Sequence, residues 1–137
     1  MEFISANEFL KQDEKVRQMF LDWWKPSVGD LYKWISNSTF EDVQVLNKSA
    51  IDTFKYDEFI NFKKDCIPLL AEGQLRRYIE DKTEFPILKI ELTNGQYDIY
   101  TQYEAIDDHS DIYVYDELGE DLLQVYWKVA IQIAKES

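Results

Sequence analysis

The chain has 137 residues, of which 45% are hydrophobic and 15% aromatic, and its formal net charge is -12. This length and composition suit one domain over residues 1–137, with enough apolar area to fold despite the charge. The lone Cys66 excludes an internal disulfide and a multi-cysteine zinc site. No apolar run approaches the ~18 residues of a membrane-spanning helix, and no secretion signal is recognisable, so we expect a cytoplasmic protein.

The N-terminal half predicts one helix followed by two short strands. Residues 5–8, Ser-Ala-Asn-Glu, have the form of a capping box, and apolar side chains recur after them at helical spacing. Pro26 disfavours helical backbone at the residue before it, so the helix should end near Trp24. Aromatic and β-branched runs at residues 31–35 and 43–46 predict strands. Beyond them, the pattern favours a loop with a short helix.

The C-terminal half predicts a short helix over residues 72–81, then strands. Asn94-Gly95 lies between two alternating runs, residues 87–92 and 96–103, which is typical of a β-hairpin with a type I′ turn. A further strand follows at residues 112–115, and an amphipathic helix closes the chain. This order predicts a single α+β domain, in which N-terminal and C-terminal amphipathic helices flank an antiparallel sheet that contains the hairpin.

The segment between Ile90 and Trp127 carries ten acidic residues and no Lys or Arg. A field of one sign repels nucleic acid and anionic lipid, and it attracts basic protein surfaces. We therefore expect a protein partner with a basic surface, and neither direct nucleic-acid binding nor membrane binding.

Tyrosines alternate with acidic residues on the strands predicted within this segment. Alternation places Tyr97, Ile99 and Tyr103 toward the core, and on the next strand it favours Ile112 and Val114 there. The opposite side would then be aromatic and acidic, which suits docking on a basic protein. The residues predicted to contact the partner are Asp98, Tyr100, Glu104, Asp107, Asp108, Asp111, Tyr113, Tyr115 and Asp116. A solvated sheet face is the competing interpretation, and exposed aromatic residues with an edge strand would also permit a homo-oligomer.

The sequence gives little support to catalysis or to a metal centre. Residues 107–111 hold three carboxylates and His109, but they lack the central Gly and the distal Glu of a calcium loop. We expect an acidic turn without metal. A catalytic pair of Cys66 and His109 competes with the commoner outcome, a buried and inert thiol. The chain has no phosphate-binding loop and no nucleophile elbow. We therefore predict that it is not an enzyme, that it has no catalytic residue and that it binds no cofactor.

The alternative function is the binding of a small, nucleotide-like ligand. Trp23 and Trp24 are adjacent at the predicted helix end and cannot both face one core, so Trp24 could line a groove. Arg76 and Arg77, near the start of the second helix, could hold an anionic group. The competing interpretation is structural, with buried tryptophan and with arginines that are solvated or paired with acids such as Glu80.

Three stretches of the chain resemble small uncharacterised proteins encoded by phages and prophages of Gram-positive bacteria. They are Trp23-Trp24-Lys25-Pro26 with Gly29-Asp30-Leu31, residues 67–81, and the closing Ala130-x-x-Ile133-Ala134-Lys135-Glu136. Such proteins often have Thr at the position of Ala71, where it would cap the helix. The resemblance implies an accessory protein that binds a host or phage protein in the bacterial cytoplasm, and it brings no activity or catalytic residue. With the charge pattern, it predicts a non-enzymatic interaction protein, acting in counter-defence or as a nucleic-acid mimic.

Overall fold

Helices and antiparallel strands both occur along the chain, as a computed structural model shows. It describes residues 2–35, 43–53, 62–87, 89–104 and 110–137, apart from the side chains of residues 53, 103, 104, 110 and 111. By their backbone contacts these residues fall into an N-terminal unit, Ile4–Leu70, and a C-terminal unit, Ala71–Ser137 with the first residues of the chain. The predicted small α+β fold is confirmed.

The N-terminal unit combines helices with a three-stranded antiparallel sheet. Its elements are, in chain order, α1 (Ala6–Leu10), α2 (Glu14–Trp23), β1 (Leu31–Trp34), β2 (Gln44–Val45), α3 (Lys48–Thr53) and β3 (Cys66–Pro68), with residues 62–65 also helical. The strand order is β2-β1-β3. Trp24, Leu46, Phe62 and Cys66 form a buried apolar cluster. The Trp24 indole Nε1–H donates to Asp30 Oδ2 at 2.9 Å, so its polar atom is satisfied.

The predicted first helix is in fact two helices. Ser5 caps α1 as expected, because its Oγ accepts from the Glu8 N–H at 3.2 Å. The chain then leaves helical geometry before Asp13, which has extended backbone at φ -59° and ψ 153° and starts α2. Asp is common at this N-cap position, although the Asp13 side chain makes no capping hydrogen bond here. α2 ends where predicted, since Trp24 has extended backbone at ψ 121°.

The sequence does not predict β3. This strand pairs with β1 through Tyr32 opposite Pro68 and Trp34 opposite Cys66. Three residues carry no readable alternation, and a terminal proline reads as the approach to the next helix. The pairing is decided by a distant segment of the chain, so no local pattern could indicate it.

The C-terminal unit contains a second three-stranded antiparallel sheet with a helix on either side of it in sequence. Its elements are α4 (Glu72–Thr83), β4 (Lys89–Thr93), β5 (Gln96–Glu104), β6 (Ser110–Tyr115) and α5 (Leu122–Glu136). The strand order is β4-β5-β6, and α4 contacts both α5 and β5. The predicted hairpin is confirmed, since Asn94 (φ 54°) and Gly95 (φ 77°) both have the positive φ of a type I′ turn. Asp121 caps α5, where its Oδ1 accepts from the Gln124 N–H at 3.2 Å.

Candidate functional site

The register of the second sheet decides which side chains share a face. Residues directly opposite each other on antiparallel strands point to the same side. Ile99 pairs with Tyr115 and Thr101 with Tyr113. Ile99 and Thr101 are 0% and 3% exposed, so these four residues lie on the buried side, which we call the inner face. Residues at the alternate positions lie on the opposite side, the outer face.

The phase predicted for β6 is therefore wrong. Ile112 and Val114 lie on the outer face, where they are 64% and 42% exposed, whereas Tyr113 and Tyr115 lie on the inner face. Aliphatic residues on one side and tyrosines on the other suit burial equally, so the alternation of β6 alone cannot show which side is covered. On β5 the prediction holds, because Ile99 is buried and Asp98 and Tyr100 lie on the outer face.

The outer face joins an apolar centre to carboxylates. Val114 lies opposite Tyr100 and Ile112 opposite Gln102, so Tyr100, Ile112 and Val114 are neighbours across β5 and β6. On β4, Glu91 lies opposite Asp98 on the same side. Sequence reasoning omits Ile112, Val114 and Glu91 from the site, and only the cross-strand register places them there.

The charge of the Lys89 ammonium is balanced on this face by a carboxylate. Its Nζ lies 2.9 Å from Glu91 Oε2 and 5.2 Å from the centre of the Tyr100 ring. Tyr100 Oη also donates to Glu91 Oε2, at 3.2 Å. The hydrogen bond and charge of Lys89 lower the pKa of Glu91, and the Glu91 charge raises the pKa of Tyr100. The carboxylate is thus ionised at neutral pH and holds the lysine and the tyrosine in place.

Asp98 has a structural part that the sequence does not indicate. Its Oδ1 accepts from the backbone N–H of Glu117 at 3.0 Å. Glu117 has a positive φ of 51°, which is costly for a residue with a side chain. Asp98 thereby fixes the turn that follows β6, next to the exposed Asp116. Substitutions at Asp98 would therefore affect both this turn and the charge of the outer face.

The remaining acidic site residues lie outside what the structure describes. Asp107 and Asp108 fall between the described segments, and the backbones of Glu104 and Asp111 lie in β5 and β6 without described side chains. Within the described ranges, no group of three or more His, Cys, Asp or Glu residues could hold a metal ion. The candidate metal loop at 107–111 therefore stays untested.

Trp24 does not line a binding groove. Its side chain is buried, its indole N–H is bound to Asp30, and its ring packs 5.8 Å from that of Phe62. Arg76 Nε lies 3.4 Å from Glu80 Oε1, the competing ion pair expected from the sequence, and Arg77 is exposed. Trp24 is therefore not available as the aromatic residue of the ligand site expected with Arg76 and Arg77.

The Cys66 thiol is buried, as expected. Burial, with a smaller contribution from the charge of Asp65, raises its pKa to about 12. The thiolate is the nucleophilic form, so this cysteine is unreactive at neutral pH. His109, its candidate catalytic partner, lies outside the described residues.

In the part of the chain that the structure describes, no helix is long and apolar enough to cross a membrane.

Comparison with known proteins finds a weak similarity to a much longer protein. No protein-family model matches the chain, and no solved structure matches it. The chain is 22% identical over 145 aligned residues to the cytoplasmic dynein heavy chain of Dictyostelium discoideum. The alignment covers 99% of this chain but only 3% of the heavy chain, so the chain spans a small fraction of that protein's length.

Proposed function

We propose that this chain is a non-enzymatic interaction protein whose outer face binds a basic surface of another protein. The observation that carries the proposal is the composition of that face: exposed Ile112 and Val114 lie beside Tyr100, with Glu91 and Asp98 around them. An apolar, aromatic centre within a charged rim is the usual anatomy of a protein interface. Burial of the centre would supply affinity, and the rim would select the partner.

The charge of the surrounding segment favours a basic partner. Residues 91–121 contain ten carboxylates and no Lys or Arg, and Lys89, just before them, is paired with Glu91. Such a field accelerates encounter with a positive surface and opposes encounter with polyanions. Since exposed charges are screened beyond ~8 Å at physiological salt, binding should weaken as salt concentration rises.

The resemblance to phage and prophage proteins supplies the setting of the proposal. The partner would be a host or phage protein in a bacterial cytoplasm, and a basic surface that normally holds nucleic acid would suit the acidic face. Counter-defence and nucleic-acid mimicry are the roles that this setting suggests. The mechanism needs no cofactor, because affinity comes from surface complementarity alone.

The experiment compares two double variants that change the net charge equally. Ile112→Arg/Val114→Arg places two cations in the outer face, whereas Val28→Arg/Val45→Arg places two at exposed valines of the N-terminal unit. Each tagged protein is incubated with nuclease-treated bacterial lysate, and the retained proteins are quantified by mass spectrometry. Circular dichroism verifies the fold of each variant.

We expect wild type and the Val28/Val45 variant to retain the same basic protein, and the Ile112/Val114 variant to lose it. Equal retention by both variants would refute the proposal. Sedimentation of the wild type supplies a second check. A dimer that the Ile112/Val114 substitutions dissociate would show that the outer face binds a second copy of the chain instead.

A further inference from the structure

A cavity of about 630 Å³ lies within the C-terminal unit, on the inner side of β5 and β6. It is open to solvent, and residues near the ends of α4 and α5 and on the two strands line it. Its walls include Phe85, Thr101, Tyr113, Tyr115, Ile133 and Glu136. Its volume falls within the range of known small-molecule sites. Neither the outer face nor the predicted ligand residues contribute to it.

Two tyrosine rings form one wall of this cavity. The ring centres of Tyr113 and Tyr115 are 4.7 Å apart, and their planes are inclined by 54°. Tyr113 is 46% exposed although it lies on the inner face, so part of its surface is open to a ligand. The face of an aromatic ring attracts cations, and a planar guanidinium can also stack on it.

The charges that line the cavity favour a cation. Glu84 and Glu136 supply carboxylates, and Gln132 Nε2 donates to Glu136 Oε1 at 2.8 Å, which helps to hold that carboxylate in place. Burial is the largest cause that raises the pKa of Tyr115, and the negative charge of Glu136 is the second. The Glu136 carboxylate is therefore close enough to Tyr115 to affect the ionisation of its hydroxyl. The basic residue of the lining, Lys82, directs its Nζ to within 5.8 Å of the centre of the Tyr78 ring.

We propose that this cavity binds the guanidinium of an arginine side chain presented by the basic partner, an inference that rests on the proposed function. The guanidinium stacks on the ring of Tyr113 and its N–H groups donate to Glu136. Arginine suits the site better than lysine does, because its planar, weakly hydrated head can stack and donate at once. The acidic field that attracts the partner also offsets part of the cost of removing this cation from water.

The test uses N-acetyl-arginine amide as the probe, observed by NMR of protein labelled with ¹³C in its tyrosine rings. The neutral isostere N-acetyl-citrulline amide controls for shape, and N-acetyl-lysine amide controls for charge. We expect saturable shifts of the Tyr113 and Tyr115 signals with the arginine probe, smaller shifts with lysine, and none with citrulline. Absence of shifts with arginine, or equal shifts with citrulline, would overturn the assignment.

Matched variants locate the binding. Tyr113→Leu should weaken binding of the arginine probe by roughly threefold or more, as the loss of a cation–π contact predicts. Glu136→Gln should also weaken it. Tyr100→Leu removes a tyrosine from the outer face of the same sheet and should leave the probe's affinity unchanged. Equal loss in Tyr113→Leu and Tyr100→Leu would refute the cavity as the site.

The lysate experiment separates this inference from the proposed function. If Tyr113→Leu retains the basic protein as well as wild type does, while Ile112→Arg/Val114→Arg loses it, the outer face binds the partner and the cavity assignment fails. If the probe binds in the cavity but the wild type retains no protein from the lysate, the partner as the source of the arginine is refuted. Loss of the protein in both variants, with Tyr100→Leu unchanged in probe binding, supports the full proposal.

Discussion

Replacement of Ala71 by threonine should stabilise the protein by about 1 kcal/mol. Ala71 occupies the N-cap of α4 with extended backbone at φ -88° and ψ 167°, and a methyl group cannot accept a hydrogen bond. Gln74 Oε1 already accepts from the Ala71 N–H at 2.9 Å, which is one half of a capping box. A threonine hydroxyl would accept from the Gln74 N–H and complete the other half.

Urea unfolding followed by tryptophan fluorescence measures the gain. With a slope of about 2 kcal/mol per molar urea, a gain of 1 kcal/mol would raise the midpoint by about 0.5 M. Ala71→Val is the matched control, because valine has the shape and the β-branching of threonine without the hydroxyl. Ala71 is half-buried and its backbone forms an isolated antiparallel β-bridge with Phe3. Any steric cost of a larger side chain is therefore common to both variants. Equal midpoints for threonine and valine would refute the capping argument.

Two further predictions concern the N-terminal unit. Asp30→Ala removes the acceptor of the buried Trp24 indole N–H and of the Ser27 N–H. Urea unfolding should show that it destabilises the protein by about 2 kcal/mol, and that Asp30→Asn destabilises it less. Equal losses for the two variants would contradict this reasoning. The pKa of Cys66 is raised in the fold from 9.0 to about 12, so the stability it contributes is complete below pH 9 and declines as the pH rises toward 12. Iodoacetamide at pH 9 should therefore label the thiol in urea and leave the native protein unlabelled, and rapid native labelling would show that the thiol is accessible.

Features with local causes are predictable from this sequence. The turn at Asn94-Gly95 requires two positive φ values, which these two residues adopt more readily than most, so the hairpin follows from the sequence alone. The same is true of Ser5, whose hydroxyl reaches an N–H three residues away. A short window of sequence also predicts α4, with its start at residue 72 correct and its end two residues early.

Features decided by distant pairing are not predictable in this way. β3 exists because it pairs with β1, and the phase of β6 exists because Thr101 on β5 lies opposite Tyr113. A shift of one residue exchanges the two sides of a strand, so a local ambiguity at Ile112 becomes an error about the whole strand. The prediction places Tyr113 and Tyr115 on the outer face, whereas the register places them at the cavity. Their proposed ligand therefore changes from a protein surface to a single side chain.

The position of β6 at one end of the order β4-β5-β6 has a consequence for the shape of any partner. Successive residues of this strand alternate between two proposed contacts, Ile112 and Val114 on the outer face and Tyr113 and Tyr115 at the cavity. A central strand would keep these two sides apart, whereas a terminal strand lets one molecule reach both by folding around it. The partner would then fold around the edge of the sheet at β6, so that one part of it contacts the outer face and its arginine enters the cavity.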